Sequence, residues 1–447
     1  MSDDARPTGR LIDEVLAAID PAEVRDLALA LGRIDSPSGA EHAVSDYLVD
    51  WCADAGLAPR RVRALPELAA NVVARLPGSG GGTSLLFNSH MDTAVAPGDT
   101  TYFREPDRPE FHTAWQESGE LVGVGVVNDK GPMACWLVAA AALRRRGVAL
   151  PGDLVLTMVT GEIGHEPVEE FCGPPYHGKD YGTRFVATHG GGLADYVVVA
   201  ETTSFAPIWV EPGKAFFRIA VHGRDRGIYT PYLQRPYAPA AHPNAIVRAG
   251  VLIPLIEDWA YSYQQRSTST SEAGEVVPKV NIGAVRAGHP TQPILSPVTC
   301  SLYIDVRLPP GETPLSVQDE LRELLAAAGL EGDVECYLFR RGYEAVGSEP
   351  LVEGLRAATR AERGDDVGRP GHTPSSMWRD LNVYNELGMP AVTFGPGQGT
   401  GAGNVSIAVD DLASCARIFA RTALEICSTP RAGGRRPGRT VPAGSAS

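Results

Sequence analysis

The spacing of apolar positions predicts alternating helices and strands over the first half of the chain. Apolar residues recur at the interval of one helix face in Leu11–Ile19, Val24–Leu31 and the alanine-rich Pro132–Arg144. Short, apolar, β-branched runs predict buried strands at Asn71–Leu76, Ser84–Phe87, Asp153–Val159 and Tyr196–Ala200. Strands that alternate with helices predict an α/β fold with a mostly parallel sheet and helices on both faces. Ligands of such folds bind at the carboxyl ends of the strands.

The pattern changes near residue 212, where a smaller unit is predicted. Its segments predict strand, helix, strand, strand and helix, at Ala215–His222, Ala245–Trp259, Val280–Val285, Val298–Val306 and Ser316–Ala328. This order is typical of a small α+β unit inserted into a larger domain. After about residue 335 the α/β pattern resumes, with a strand and glycine-rich loop at 392–397 and a final helix over Asp411–Ile426.

The chain length and these pattern changes indicate two domains. At 447 residues the chain exceeds the size at which a single hydrophobic core stops growing. We assign residues 1–208 and 333–428 to the two parts of the α/β domain, and residues 209–332 to the inserted unit. Residues 429–447 contain four arginines and no acidic residue among glycines and prolines, which predicts a disordered basic tail.

Composition and charge exclude several classes of function. The formal net charge of −14 at pH 7 argues against binding to nucleic acid or to an anionic membrane. No apolar run approaches the ~20 residues of a membrane-spanning helix. The acidic N-terminus lacks the pattern of a signal peptide, so we expect a cytoplasmic protein. The seven cysteines are scattered without a close pair, which is typical of reduced thiols rather than disulfides or a structural zinc site.

Five loops at predicted strand ends contain most of the chemically capable side chains. They are NSHMDT at 88–93, GVGVVNDKGPM at 123–133, TGEIGHEP at 160–167, AETTS at 200–204 and FGPGQGTGAGN at 394–404. His90 and Asp92 share one face of an extended segment, so the carboxylate is placed to set the tautomer of a metal-binding imidazole. A hydrogen-bonded structural histidine explains the same pattern. Asn128 and Asp129 open a helix, where a simple N-cap is the alternative.

The order and spacing of these loops resemble the aminoacylase, acetylornithine deacetylase, succinyl-diaminopimelate desuccinylase and carboxypeptidase G family of metallopeptidases. Further matches are ADYVVVAE at 194–201, PKVNIGAVRAG at 278–288 and CSLYIDVRLPPGETP at 300–314. The resemblance covers about residues 10–427 and implies a zinc-peptidase-like catalytic domain with an inserted lid or dimerisation domain. By the same analogy we expect a homodimer.

Two loops depart from the two-zinc site that the resemblance implies. The family's metal-bridging aspartate aligns with Asn128, and Asp129 follows one residue later. An amide offers one carbonyl oxygen and no negative charge, so it is a poor bridge between two dications. When the loops are aligned on the glycine at 164, Glu162 takes the place of a metal-ligand glutamate and Gly161 that of the general base. A shifted alignment makes Glu162 the base and removes the ligand instead.

Two histidines of the family pattern are also replaced. The late metal-binding histidine aligns with Gly403, and the lid histidine has Tyr229 as its nearest counterpart. A tyrosine hydroxyl still donates one hydrogen bond to a developing oxyanion. His165 and His372 are candidates to supply a missing imidazole, and a hydrogen-bonded loop histidine is the alternative interpretation of each.

The remaining residues imply a reduced site. We expect one zinc ion at most, bound by His90, Asp129 and Glu201, and a metal-free protein is the alternative. The candidate catalytic residues are Glu162, Asp92, His165 and Tyr229. The candidate substrate-binding residues are Asn128, Arg224, Arg226, Arg235, His372 and Gly397.

Two hypotheses about function follow. In the first, the protein is an enzyme that cleaves the amide bond of a small N-acyl amino acid or peptide-like metabolite, whose carboxylate an arginine binds. In the second, it is a metal-independent enzyme of the lyase, cyclase or acyl-transfer type, or a ligand-binding pseudo-enzyme on the same fold. A purified protein without metal would contradict the first hypothesis, and chelator-sensitive amide hydrolysis would contradict the second.

Overall fold

Helices and strands alternate along the chain, as the apolar pattern predicts. The structure is a computed structural model that describes residues 7–101, 103–173, 176–224, 229–231, 238–364, 371, 376–399 and 403–431. In these residues the helices are α1 (Gly9–Leu16), α2 (Pro21–Gly32), α3 (His42–Asp54), α4 (Pro109–His112), α5 (Gly131–Arg145), α6 (Tyr181–His189), α7 (Ala245–Ser267), α8 (Pro314–Ala327), α9 (Glu349–Arg363), α10 (Leu381–Glu386) and α11 (Val409–Ser428). None of these helices combines the length and the apolar character that crossing a membrane requires.

The strands of the same residues are distributed over both halves of the chain. They are β1 (Arg60–Val62), β2 (Asn71–Leu76), β3 (Leu85–His90), β4 (Trp115–Glu117), β5 (Glu120–Val122), β6 (Leu154–Val159), β7 (Tyr196–Ala200), β8 (Val210–Glu211), β9 (Gly213–His222), β10 (Ser269–Ser271), β11 (Gly274–Val276), β12 (Val280–Ala287), β13 (Thr299–Leu308), β14 (Gly332–Arg340), β15 (Tyr343–Glu344), β16 (Ala391–Phe394) and β17 (Ser406–Ala408). Together with the helices they form two compact units.

The first unit contains the predicted α/β sheet. This unit comprises Met1–Trp209, Ala345–Arg369 and Arg379–Ser447. Its six-stranded sheet has the order β1-β2-β6-β3-β7-β16. The β6–β3, β3–β7 and β7–β16 pairs are parallel, whereas β1–β2 and β2–β6 are antiparallel. The predicted class, an α/β fold with a mostly parallel sheet, is therefore confirmed.

The central strands are apolar on both faces because helices cover both faces. Leu85 and Phe87 of β3 belong to the larger core, whereas Leu86 between them belongs to a second core on the opposite face. Helices α2, α5 and α11 pack together over the larger core, and α5 is buried along Gly131–Leu143. Helices α6 and α10 pack on the other face. Burying one such leucine or phenylalanine side chain stabilises the fold by about 1.5–3 kcal/mol.

The second unit is an antiparallel sheet that packs against two helices. It comprises Val210–Glu344 and Pro370–Trp378. Its main strands have the order β12-β13-β9-β14, and all three pairings are antiparallel. Helices α7 and α8 pack on this sheet around a core that includes Phe217, Leu302 and Leu321.

The second unit extends beyond the boundary that the sequence predicts at residue 332. It continues to Glu344, which is 344 − 332 = 12 residues further. The reason is strand β14, which pairs with β9 from Gly332 opposite Val221 to Arg340 opposite Lys214. The pattern-based prediction omits this strand and assigns all of it but Gly332 to the α/β domain.

The described part of the chain ends inside the predicted basic tail. The guanidinium of Arg431 contacts Oδ1 of Asp195 through Nε at 3.0 Å and Nη2 at 2.8 Å. The first residues after α11 therefore contact the first unit through this ion pair. The rest of the predicted tail, 432–447, lies outside the described residues.

Candidate metal centre and active site

The candidate site lies at the carboxyl-terminal edge of the parallel strands. His90 is the last residue of β3, Glu162 follows β6, and Glu201 directly follows β7. Because these strands are parallel neighbours, the loops that leave them meet at the same edge of the sheet. Asp129 reaches the same place from the wide helical turn Val126–Lys130, which leads into α5.

Three of these side chains form a buried set of metal ligands. One ligand atom from each of His90, Asp129 and Glu201 lies within 4.8 Å of the other two. The three residues are 2%, 0% and 6% exposed. Neither carboxylate oxygen of Asp129 has a hydrogen-bond partner of ordinary geometry among the described residues, and the nearby hydroxyl of Ser89 donates to the carbonyl oxygen of Ala200. A buried carboxylate without a partner is costly, so this arrangement favours a cation or a proton at Asp129.

The pKa values of these groups reflect the concentration of negative charge. Burial and then the charge of Glu201 raise the pKa of Asp129 well above its usual range. Burial raises the pKa of Glu162 as well. Burial by itself would lower the pKa of His90, but Asp92 and the other carboxylates raise it well above its usual range. Each of these shifts indicates that the centre favours positive charge.

Asp92 sets the orientation of the imidazole. Its backbone carbonyl oxygen lies 3.0 Å from Nδ1 of His90, and its Oδ1 lies 3.3 Å from the same nitrogen. These acceptors assign a proton to Nδ1 and leave Nε2 facing the other ligands. Asp92 accepts hydrogen bonds from Oγ of Ser38 at 2.7 Å and from the backbone N–H groups of Glu162 and Ile163 at 3.1 and 2.8 Å. Burial by itself would raise the pKa of Asp92, but His90 and these donors lower it to about 2.

Asn128 lies next to the same imidazole. Its Oδ1 lies 3.0 Å from Nε2 of His90, whereas Oε1 of Glu201 lies 3.7 Å from that nitrogen. The backbone of Asn128 departs from the helical conformation, with φ −138° and ψ 92°, and its peptide bond to Asp129 is cis. A neutral amide therefore stands where the resemblance implies a carboxylate that bridges two metal ions.

Two cationic side chains contact the other carboxylates of the cluster. Nζ of Lys179 lies 3.2 Å from Oε1 of Glu162, and Nε of Arg379 lies 3.4 Å from Oε2 of Glu201. The lysine side chain is 19% exposed, and the other three are 8% exposed or less. Charges interact more strongly in such a low-dielectric environment than at the surface, and loss of one partner leaves the other uncompensated.

An imidazole occupies the space next to Gly161, the residue before Glu162. Gly161 has a φ of +67°, and a Cβ built on it would lie 2.5 Å from Nε2 of His177. The general-base glutamate that the resemblance implies at this position therefore has no room for its side chain. The backbone N–H of Gly161 donates to Oε1 of Glu41 at 3.1 Å. Burial and then the charge of Asp92 raise the pKa of Glu41 to about 7.

The other described candidates are His165 in the first unit and Tyr229 and Arg224 in the second. His165 is exposed, and its ring centroid lies 6.1 Å from that of Tyr176. In the second unit, Tyr229 is 69% exposed. Nη2 of Arg224 lies 3.7 Å from Oε1 of Glu331 in the same unit. Three other predicted residues lie outside the described part of the chain, namely Arg226, Arg235 and His372.

Gly397 connects two loops of the first unit. Its carbonyl oxygen accepts hydrogen bonds from the backbone N–H of Ser204 at 2.7 Å and from Oγ of the same residue at 3.3 Å. Its φ is +65°, and a Cβ built on it would lie 2.8 Å from the side chain of Ile407. These contacts give Gly397 a structural part, and binding of substrate by it stays a prediction.

Four residues of the cluster are absent from the sequence-based prediction, namely Glu41, His177, Lys179 and Arg379. None of them belongs to a motif with a characteristic spacing. Glu41 precedes helix α3 and is indistinguishable in the sequence from an ordinary residue at a helix start. Lys179 and Arg379 stand in loops far from their carboxylate partners along the chain. Only the folded chain brings these four side chains to the cluster.

A solved peptidase structure shares the fold of the chain. The chain resembles a dinuclear metal-binding peptidase of the M20 family from Bacillus subtilis, with a TM-score of 0.58, 15% identity, and coverage of 92% of this chain and 99% of that chain. In the described residues, His90, Asp129 and Glu201 are the one cluster of three or more metal-binding side chains. The unpartnered oxygens of Asp129 fit one divalent ion. Glu162 does not belong to this cluster, and Nζ of Lys179 lies 3.2 Å from its Oε1.

Sequence relatives and a family profile cover most of the chain. An N-formyl-4-amino-5-aminomethyl-2-methylpyrimidine deformylase from Bacillus subtilis (strain 168) is 25% identical over 387 residues, which cover 80% of this chain and 83% of the relative. A succinyl-diaminopimelate desuccinylase from Methylobacterium sp. (strain 4-46) is 27% identical over 419 residues, which cover 90% of this chain and 96% of the relative. Residues 86–425 match the profile described as Peptidase family M20/M25/M40. The predicted resemblance is thereby confirmed, and the chain belongs to peptidase family M20/M25/M40.

Proposed function

We propose that the protein hydrolyses the amide bond of a small N-acyl amino acid or peptide-like metabolite with the help of one divalent metal ion. One observation carries the proposal: His90, Asp129 and Glu201 each bring a ligand atom within 4.8 Å of the other two in a buried position. Three nitrogen and oxygen ligands with a fourth position open are typical of catalytic zinc sites, so zinc is the expected ion. The deformylase and the desuccinylase among the relatives favour an N-acyl substrate.

The buried side chains divide the remaining chemistry among them. When bound, the ion would supply Lewis acidity toward the substrate carbonyl and would lower the pKa of water. Glu162 has a pKa that burial raises, so it is suited to accept a proton from water and to return it to the leaving nitrogen. Asp92 orients the imidazole of His90 through Nδ1. Arg379 contacts Oε2 of Glu201 and leaves Oε1 on the side of the imidazole.

Several finer features of the proposal rest on the sequence and the family resemblance. We expect the substrate to carry a carboxylate, with Arg224 as the described candidate to bind it. We expect Tyr229 to donate a hydrogen bond to the developing oxyanion. A homodimer formed through the second unit and a cytoplasmic location also stay predictions. Light scattering on the purified chain would test the dimer.

Metal content and hydrolysis, measured on the same preparation, test the proposed function. The full chain would be analysed for metals by inductively coupled plasma mass spectrometry. It would then be assayed against N-formyl, N-acetyl and N-succinyl amino acids and against dipeptides. We expect one ion per chain, and we expect hydrolysis that a chelator abolishes and zinc restores. A chain that holds no metal and hydrolyses none of these amides would overturn the proposal.

A metal-independent enzyme or a ligand-binding protein on the same fold is the second candidate. The observation in its favour is that the protein's own cations, Lys179 and Arg379, already contact Glu162 and Glu201. These ion pairs would partly neutralise the cluster in the absence of metal. Turnover of an amide, or retention of a ligand, by a chain shown to be free of metal would support this candidate.

A further inference from the structure

The loop after β6 brings a lysine back to the metal centre. Lys179 follows Glu162 by 179 − 162 = 17 residues, yet its Nζ lies 3.2 Å from Oε1 of that glutamate. The lysine side chain is 19% exposed and the glutamate side chain 5%. An ion pair at this depth must offset the loss of solvation of both charges, unlike the screened pairs of an exposed surface.

The backbone on both sides of Lys179 is held in place. The N–H of Gly178 donates to the carbonyl oxygen of His165 at 3.0 Å. On the other side Asp180 has a φ of +73°, and its Oδ2 lies 3.1 Å from Nη2 of Arg184. Helix α6 begins with the next residue. The position of the lysine is therefore determined by the fold rather than by a flexible surface loop.

Negative charge surrounds the position that Lys179 faces. Asp92, Asp129, Glu162 and Glu201 are four buried carboxylates of one cluster. Burial raises the pKa of Glu162, and the charges of Glu201 and Asp92 raise it further. The charge of Lys179 is the largest effect that lowers it. Without a cation at this position, like charges would repel one another in a low-dielectric environment.

We propose that the ammonium group of Lys179 takes the place of a second metal ion, so that the centre works with one divalent ion and one cation of its own. The inference rests on the proposed function for the first ion only. The neutral side chain of Asn128 is consistent with this inference. An asparagine in place of a bridging aspartate removes one negative charge, and an ammonium in place of a dication removes one positive charge, so these two changes offset each other. A second divalent ion would have to bind against the charge of the lysine.

Zinc stoichiometry in a set of variants tests this inference. The full chain would be loaded with zinc and measured by native mass spectrometry, and circular dichroism would verify the fold of each variant. We expect one ion in the unaltered chain and two ions in the double variant Lys179→Met, Asn128→Asp, which removes the ammonium and supplies the missing carboxylate. The matched control is Arg184→Met with Asn128→Asp, which removes a neighbouring cation that contacts Asp180 and Glu386. The control should hold one ion.

The outcomes separate this inference from the proposed function. One ion in both the unaltered chain and the double variant would overturn the role of Lys179 and leave the proposed function intact. Two ions in the unaltered chain would overturn the role of Lys179 and the single-ion part of the proposed function, but not amide hydrolysis itself. No ion in the unaltered chain would overturn both. If the double variant does not fold, Lys179→Met alone carries the test. Uptake of a second, weaker ion is then expected, and one ion at every zinc concentration would overturn the inference.

Discussion

The two halves of the metal centre occupy the same sheet edge but differ in how their carboxylates are neutralised. In the first half, Asp129 is buried with no hydrogen-bond partner for either oxygen among the described residues, and it lies beside His90 and Glu201. In the second half, Glu162 is buried to a similar degree, but the ammonium of Lys179 lies 3.2 Å from it. Burial alone therefore does not identify a metal ligand. Asp129 and Glu162 differ in that a lysine contacts Glu162, whereas the cation beside the first half, Arg379, contacts Glu201 and not Asp129.

The two halves also differ in what their residues are suited to do. Residues of the first half orient a metal-binding side chain, and Glu162 of the second half is suited to accept a proton. In the first half, three hydrogen-bond donors orient Asp92, and Asp92 orients His90. In the second half, Glu162 is left with a raised pKa next to a lysine. The first arrangement favours tight binding of a cation, and the second favours transfer of a proton. The following predictions test this division.

Neutralising one carboxylate in each half should have the largest and most different effects. Glu201→Gln removes the charge of a ligand, so we expect loss of both the bound metal and amide hydrolysis. Glu162→Gln removes a buried carboxylate from the same edge, and we expect it to keep one ion while kcat falls ~10²–10⁴-fold. Metal analysis and kcat on the same preparations measure both effects. Equal loss of metal in the two variants would contradict the division between the halves.

Adding a methyl group beside Glu162 should destabilise the second half. Gly161→Ala places a Cβ 2.5 Å from Nε2 of His177, whereas Gly403→Ala places one in open space. Both glycines have a positive φ, +67° and +81°, so the backbone effect is matched. We expect Gly161→Ala to lower the free energy of unfolding by about 1–3 kcal/mol more than Gly403→Ala does, because of overpacking. Urea denaturation measures the difference.

A second substitution verifies the cause of that loss. His177→Ala, combined with Gly161→Ala, removes the ring that the new methyl group meets. The two changes should therefore be non-additive, with most of the difference in unfolding free energy recovered. Additive losses would show that the imidazole is not what closes this position.

Removing the charge that orients the imidazole should weaken the first half without abolishing it. Asp92→Asn places an amide N–H₂ where donors now point, and it weakens the hold on Nδ1 of His90. We expect metal affinity to fall ~10–100-fold, as is common for residues that orient a ligand. Competition with a chelating dye measures the affinity. Asp195→Asn, which alters a carboxylate bound to Ser84 and Arg431, is the control and should leave the affinity unchanged.

The smallest effect is expected from Ser38→Ala. This change removes one of the donors to Asp92, a hydrogen bond of 2.7 Å, and leaves the two backbone donors in place. We expect the loss of this hydrogen bond to weaken metal binding by about 1 kcal/mol. This free energy corresponds to a roughly fivefold decrease in metal affinity. The same dye competition applies, with Ser84→Ala as a matched serine elsewhere. A decrease as large as that of Asp92→Asn would mean that Ser38 alone orients the carboxylate.

The strands of the parallel sheet were predictable because they are apolar on both faces. The predicted bounds of Asn71–Leu76 and Tyr196–Ala200 coincide with β2 and β7.

The pattern-based prediction ends helix α7 at Trp259, whereas the helix continues to Ser267 because Tyr263 packs into the core of the second unit. It omits α3, α9 and β14. Strand β14 alternates exposed and buried positions, and its pairing with β9 decides its state.

The three candidate metal ligands were predictable for a similar reason. His90, Asp129 and Glu201 each follow an apolar segment closely, so the order of elements carries them to one edge. No local pattern leads to Lys179, Arg379 or His177. Each of these side chains reaches the cluster from a loop, and loop paths depend on tertiary contacts rather than on periodicity.

The sequence by itself determined the family, the sheet and the residues that can bind a cation, because these depend on apolar spacing and on side-chain chemistry at strand ends. It also predicts that Asn128 and Gly161 depart from the family pattern. Only the tertiary structure decided which side chains lie beside Gly161 and Glu162. An imidazole stands where a side chain on Gly161 would lie, and an ammonium lies 3.2 Å from Glu162. The physical reason is that neutralisation of a buried charge depends on distances of a few ångströms, which the fold sets between residues far apart in the chain.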